Sequence, residues 1–320
     1  MAFPHEELYL APMAGLSHGP MRRLIAGFGG CDLYWTEMIW ANALLARGRF
    51  ERSYLDPSPR RDMLVYQLVG CDSGKLADAA MLLNAEGCHG IDINMGCSAP
   101  EIVKAGAGAA WLSDEAGALR MLEQVRKAVR NARLCCKIRV VDPERPERLI
   151  AFARAMEAVG VEALTVHPRS PREKLKRHAR WGLMRALSGE TRMELILNGD
   201  VRDRESLDRA RLEAGSMIPV MLGREAARRP WVFAELKGAL SAAPNLLDVG
   251  IEALRGIEEG LPPEFHKSRA RRFLFYFCDN LRFGNRLKMA AQGMGTIQEM
   301  RDAFRAYFEE SPEEARSESG

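Results

Sequence analysis

The chain has 320 residues, 47% of them hydrophobic and 28% charged, with a formal net charge of +3. That combination suits a globular protein with a sizeable core, either one large barrel with an appendage or two ordinary domains, and excludes a largely disordered chain. The near balance of charge means that a polyanionic partner must be met by local basic patches and not by the field of the whole molecule.

No apolar run approaches the roughly 20 residues needed to span a bilayer, and Met1-Ala2-Phe3-Pro4-His5-Glu6-Glu7 is not a basic stretch followed by an apolar one. A cytoplasmic protein is expected. Seven cysteines, at positions 31, 71, 88, 97, 135, 136 and 278, are scattered, with no CxxC pair and no Cys/His cluster at zinc spacing. Neither a disulfide framework nor a metal site is expected.

In chain order, short apolar runs at 8–11, 32–38, 63–69, 90–95, 134–139, 163–167, 194–197 and 217–222 alternate with longer amphipathic segments. The clearest helical patterns are 75–86, 115–129, 146–159 and 204–213, the last two preceded by polar residues suited to starting a helix. Eight near-continuous strands, each followed by a helix, predict an α/β fold, a (β/α)8 TIM barrel. The competitor is an open doubly wound sheet. It would carry a GxGxxG turn after its first strand, where this chain reads Ala11-Pro12-Met13-Ala14-Gly15.

A barrel places its chemistry at the carboxyl ends of the strands. All eight ends here carry polar groups or glycine turns, among them Thr36-Glu37-Met38, Gln67-Leu68-Val69-Gly70, Lys137-Ile138-Arg139 and His167-Pro168-Arg169. The fourth run, Gly90-Ile91-Asp92-Ile93-Asn94-Met95-Gly96-Cys97, delivers a thiol into the loop just past its end. That thiol is either a small core residue or a catalytic group.

After Pro230-Trp231-Val232-Phe233 the alternation stops, and from about residue 245 the pattern is helical. The expected division is a catalytic barrel over 1–240, a small all-helical domain over 241–312 and a disordered Ser- and Glu-rich tail over 313–320. Within the helical part, residues 267–288 carry Lys267, Arg269, Arg271, Arg272, Arg282, Arg286 and Lys288 among Phe273, Phe275, Tyr276, Phe277 and Phe283. A buried helix with a solvated basic face would look like this, and so would a nucleic-acid surface.

Asn198-Gly199-Asp200 and Gly223-Arg224 end strands seven and eight. Glycines let backbone N–H groups approach an anion, and arginine forms forked bonds to it, so these turns suit a phosphate. With no P-loop, the phosphate is assigned to a bound cofactor, and FMN is the common barrel cofactor of that kind. Lys137 would place a positive charge near the pyrimidine edge of a flavin, Gln67 would hydrogen-bond that edge, and His167 would reach the ring or the phosphate.

These residues meet a known pattern. In Ala11-Pro12-Met13-Ala14-Gly15, Thr36-Glu37-Met38, Gln67-Leu68-Val69-Gly70, Asp92-Ile93-Asn94-Met95-Gly96-Cys97, Lys137-Ile138-Arg139, Asn198-Gly199-Asp200 and Gly223-Arg224, the chain resembles the tRNA-dihydrouridine synthases over Leu10 to about Phe233. The resemblance implies FMN at the barrel mouth, held by Pro12, Met13, Ala14, Gln67, Lys137, His167, Asn198, Gly199, Asp200, Gly223 and Arg224. It also implies NADPH as reductant, a C-terminal RNA-binding domain and action on tRNA, with another RNA as the alternative; a monomer is expected. Hydride would pass from flavin N5 to C6 of uracil while Cys97 protonates C5. An ordinary thiol, with a pKa of about 8.5, is a proton donor near neutral pH, the opposite of what a nucleophilic cysteine needs. No catalytic histidine is therefore expected beside Cys97, and Asn94 is expected to orient the uracil.

Four departures stand out. The family's Gly-Cys-Pro is Gly96-Cys97-Ser98, which removes a proline stiffener and predicts a more mobile thiol loop; His-Gly-Arg-Thr is His167-Pro168-Arg169-Ser170; an aspartate after the first strand is His18; and a glycine after Lys-x-Arg is Val140. The segment 169–180 holds Arg169, Arg172, Lys174, Lys176, Arg177 and Arg180 against Glu173. Leaving the carboxyl end of strand six, it would lie on the active-site rim. Arg139, Arg169, Arg172, Lys174 and Lys176 are thus expected to contact RNA phosphates near a target base that must be exposed to react. Two other readings are a flavin barrel acting on a free small molecule such as a dihydropyrimidine, and an RNA-binding protein on a barrel without activity.

Overall fold

Runs buried on both faces are what a parallel sheet covered by helices demands, and here they close on themselves. In the computed structural model, which describes residues 7–215 and 217–315, β1 (Leu8–Leu10), β2 (Leu33–Trp40), β3 (Leu64–Val69), β4 (Gly90–Met95), β5 (Arg133–Arg139), β6 (Ala163–His167), β7 (Glu194–Asn198) and β8 (Val220–Leu222) form a closed parallel barrel in sequence order. Closure pairs Leu8 with Val220 and Leu10 with Leu222. The (β/α)8 expectation holds, with helices added at the C-terminal end.

Two strand limits differ from the sequence reading by more than one residue. β8 starts at Val220 and not at 217, because Pro219 has no N–H for the ladder and Met217 is half exposed. β2 runs on to Trp40 through a register shift between Trp35 and Met38. In that irregularity the Thr36 hydroxyl accepts the Gln67 N–H at 3.0 Å, standing in for a backbone carbonyl. A bulge re-aims side chains, and Glu37 lies within this one.

Asp72, Asp114 and Asp203 accept N–H groups in the first turns of the helices Ser73–Ala85, Glu115–Ala128 and Arg204–Ala214. The helix Pro146–Ala158 starts differently. Arg145 makes no capping bond, and Pro146 supplies the preset φ of a first helical position.

Side chains from alternate strand positions fill the barrel. Tyr9, Leu33, Trp35, Val65, Cys135, Ala163, Ile196 and Met221 form an apolar plug. Above it lie the polar residues Gln67, Asp92, Asn94, Lys137, His167 and Asn198 of β3 to β7. The lumen is therefore floored by hydrocarbon and polar at its mouth.

Helices Leu246–Gly260, Pro263–Phe277, Gly284–Gly293 and Ile297–Glu310 follow the barrel. Phe273 and Phe277 stack at 4.9 Å, and Phe277 meets Trp231 of the barrel edge-on at 6.4 Å, so one continuous apolar core joins both parts. Of the aromatics in 267–288, Phe273 and Phe277 are core while Phe275 and Phe283 are exposed, so the segment has one buried face and one exposed face. Of the tail expected over 313–320, residues 313–315 belong to a turn. Pro312–Ala315 is a 3-10 turn docked by Glu314, which accepts the Arg282 N–H and the Tyr307 hydroxyl, each at 2.7 Å; 316–320 lie outside the described residues. Among the described residues no helix is long and apolar enough to cross a membrane, and no group of three His, Cys, Asp or Glu side chains could hold a metal ion.

Candidate active site

The carboxyl ends of the strands open into a cavity of about 970 Å³. Pro12, Met13, Ala14, Asn94, Cys97, Lys137, Arg139, His167, Asn198, Gly199, Asp200, Gly223 and Arg224 all line it. These six strand ends thus converge on one cleft, at the upper end of the size range for small-molecule sites.

Its most cationic corner lies beyond β7 and β8. Gly199, at φ +123°, adopts a conformation that side chains rarely reach, and a Cβ there would sit 3.1 Å from the His167 ring. Arg169, 3% exposed, pairs with Asp200 at 2.5 Å, and Arg224 approaches the other Asp200 oxygen at 3.3 Å. Burial alone would raise the Asp200 pKa, but the Ala179 N–H and Arg169 outweigh it and hold the carboxylate below its usual range. Arg169 also donates to His167 Nε2 at 3.0 Å. Because guanidinium can only donate, Nε2 carries the lone pair and the ring proton sits on Nδ1. Burial, and then Lys137, Arg139 and Arg169, keep this imidazole neutral far below its ordinary pKa.

Lys137 crosses the cleft to donate to Asn198 Oδ1 at 2.7 Å, and Asn198 Nδ2 in turn donates to the Met221 carbonyl at 2.8 Å. Loss of solvation pulls the Lys137 pKa down to about 8, with Asp92 pulling the other way. The ammonium is therefore a poised cation at the centre of the cleft.

Cys97 is half-buried at the cleft wall. Its loop is pinned from both sides. Asn94 Oδ1 accepts the N–H groups of Cys97 at 2.9 Å and Gly96 at 3.2 Å, and the Cys97 carbonyl accepts the Ala109 N–H at 2.8 Å. Gly108 packs so closely that a Cβ would stand 2.6 Å from the Cys97 carbonyl oxygen. With Ser98 where a proline was expected, these contacts hold the loop.

The chain and its fold match known proteins. A family model described as dihydrouridine synthase covers residues 9–259. A protein of Pectobacterium carotovorum named tRNA-dihydrouridine synthase B is 30% identical over 94% of this chain and 96% of its own length, and one of Pseudomonas aeruginosa with the same name is 31% identical over 75% and 71%. The chain belongs to the dihydrouridine synthase family. A histamine dehydrogenase from Rhizobium sp. 4-9 shares the fold at a TM-score of 0.53 and 11% identity, covering 78% of this chain and 49% of that one.

Not every residue assigned by the family resemblance lies where it was expected. Gln67 is fully buried and absent from the cavity lining: Nε2 donates to Asp92 at 2.6 Å and Oε1 accepts from Asn94 at 2.8 Å. Its amide faces its β4 neighbours. Asn94 reaches the cleft with its amide bonded to Gln67 and to the thiol loop. Arg169 is turned inward onto Asp200 and His167 and is no rim residue, because a buried carboxylate draws the nearest guanidinium. Arg139 lines the cleft, yet its guanidinium also binds the carbonyls of Ser170 and Lys174 at 3.3 and 2.9 Å. It thereby anchors the basic segment.

That segment is built rather than loose. Glu173 accepts two bonds from Arg180, at 2.8 and 3.0 Å, and the Ser170 N–H at 2.7 Å. Around this hub Arg172, Lys174 and Lys176 stand exposed outside the cavity, while Leu175 faces into it.

The sequence reading did not list Glu37, Arg269, Arg272 and Tyr276 as site residues, yet all four line the cleft. Glu37, 5% exposed, pairs with Arg269 of the Pro263–Phe277 helix at 3.1 Å and also accepts the Gly15 N–H. Burial raises its pKa against the pull of Arg269. A glutamate at a strand's carboxyl end was the available signal. His18, in place of an aspartate, performs an aspartate's local task, accepting the Met21 N–H at 3.2 Å as a helix cap.

Proposed function

We propose that this member of the dihydrouridine synthase family reduces uridine to 5,6-dihydrouridine in tRNA, with FMN in the cleft and NADPH as reductant. The observation that supports this most strongly is the convergence of the Cys97 thiol, the Lys137 ammonium and a glycine–arginine corner in one cavity at the barrel mouth. The relatives' names, tRNA-dihydrouridine synthase B, point the same way.

The residues present fit FMN. The corner at Gly199, Gly223 and Arg224 suits a phosphate: it is positive on balance, and a Cβ at Gly199 would crowd the His167 ring at 3.1 Å. Lys137 suits an electron-rich ring edge, and Pro12, Met13 and Ala14 form an apolar wall. When bound there, FMN supplies the hydride for uracil C6.

Everything else falls to the chain. Cys97 delivers the proton to C5, and the pinned Gly96-Cys97 backbone fixes where its Sγ can reach. Lys137, held by Asn198, stabilises negative charge across the cleft, and neutral His167 closes the wall beside the phosphate corner. Arg172, Lys174 and Lys176 on the rim grip RNA phosphates, with Arg272 and Tyr276 across the mouth from the helical domain.

The test compares the parent with Cys97→Ala. Both should carry flavin absorbance and oxidise NADPH, while dihydrouridine mapped by mass spectrometry in tRNA should fall at least 100-fold in the variant. A colourless parent protein, or an unchanged yield from the variant, overturns the proposal. Stimulation of NADPH turnover by free uracil but not by RNA would shift the substrate to a small molecule.

A further inference from the structure

Three side chains join the barrel lumen to the thiol loop. Asp92 Oδ2 accepts from Gln67 Nε2 at 2.6 Å, Gln67 Oε1 accepts from Asn94 Nδ2 at 2.8 Å, and Asn94 Oδ1 accepts from the backbone N–H groups of Cys97 and Gly96. Strand register supports the sequence: Gln67 is paired with Asp92 across β3 and β4, and Asn94 stands two residues on, on the same face. Each link dictates the next, because an amide has one accepting end and one donating end. An acceptor at Asp92 turns the Gln67 carbonyl toward Asn94; that carbonyl turns the Asn94 oxygen toward the thiol loop.

We infer that Asp92 is a positioning residue for Cys97, setting the direction of this amide relay and so the placement of the thiol. The inference rests on Cys97 being the proton donor of the proposed reduction, although the relay itself is a property of the chain. Asp92 is fully buried beside the Trp35 indole, and burial raises its pKa to about 7 against the pull of Gln67, Lys137 and Trp35. A proton taken up on Oδ1 leaves Oδ2 free to accept, so the relay keeps its direction whether Asp92 is charged or neutral. What the position requires is an acceptor, not a charge. The relay also performs the stiffening that Ser98, in place of proline, does not.

The experiment uses the full-length protein with its bound cofactor and two variants, Asp92→Asn, which retains an acceptor, and Asp92→Leu, which does not. Alkylation by iodoacetamide is followed peptide by peptide, with exposed Cys71 as internal control for the reagent. In Asp92→Leu, alkylation of Cys97 should accelerate at least threefold with Cys71 unchanged, and single-turnover dihydrouridine formation should fall at least tenfold while NADPH reduces the flavin within twofold of the parent rate. Asp92→Asn should stay within twofold of the parent in all three. Cys97 alkylation changed less than threefold in Asp92→Leu, Asp92→Asn as impaired as Asp92→Leu, or a parallel fall in flavin reduction would each overturn the inference. Should the leucine variant not accumulate folded protein, Asp92→Ala takes its place with the same thresholds. A parent that reduces no uridine would remove the proposed reaction, and the alkylation comparison would still decide the relay.

Discussion

The Glu37–Arg269 pair ties the barrel mouth to the helix that roofs it, and neutralising Glu37 should loosen that tie measurably. At 3.1 Å and an effective dielectric constant near 20, the gross attraction is about 5 kcal/mol, and desolvation of both ions offsets much of it. Glu37→Gln keeps an acceptor for the Gly15 N–H, so the change is one of charge. It leaves Arg269 buried with the Tyr54 hydroxyl at 3.2 Å and the Phe265 ring at 4.6 Å as its remaining partners. We expect a loss of about 3 kcal/mol, the lower end for a broken buried pair, because those partners persist. Arg269→Met should cost less, since the Glu37 carboxyl, its pKa already raised by burial, can take up a proton. The double variant should then fall short of the sum by about 2 kcal/mol. Urea unfolding of the four proteins, followed by tryptophan fluorescence, reads that coupling. A coupling below about 0.5 kcal/mol, the level of an exposed pair, would refute the reasoning.

Three further outcomes are expected. Lys137 is charged below pH 8 and loses its proton as pH rises through 8, so FMN should bind the apoprotein progressively more weakly from pH 7 to 9, and Lys137→Met should remove that dependence; parallel titrations would count against it. His18 has its pKa lowered by burial to about 3, so the stability it contributes is complete above 6.5 and lost as pH falls toward 3; His18→Asn keeps a capping acceptor and should flatten the acid limb of a stability–pH curve. Changing Arg172, Lys174 and Lys176 together to Gln should lower the slope of log K against log salt for tRNA by about 2, at roughly 0.7–0.9 per phosphate contact, with flavin content unchanged. An unaltered slope would place the RNA elsewhere.

What could be read from the sequence follows from periodicity. A strand buried on both faces is an apolar run whatever it packs against, so all eight were legible to within a few residues, and misses such as β8 trace to a backbone without an N–H at Pro219. Barrel topology then places every carboxyl end on one rim, which is why Cys97, Lys137, His167, Asn198 and Arg224 could be assigned to a common cleft before any coordinate.

The sequence by itself determined the barrel, the rim and the inventory of groups on it. Tertiary structure alone decided how those groups are spent. Gln67 and Asn94, assigned to ligands, also partner Asp92 and the thiol loop; Arg169 was assigned to the rim and is buried on Asp200; Arg269, an ordinary basic residue in its own segment, completes the mouth against Glu37. The physical reason is that periodicity encodes which face of an element is dry, whereas a hydrogen bond or ion pair depends on which distant element arrives within about 3 Å. Burial then makes that partner obligatory, because a polar group deprived of water must be satisfied where it lies.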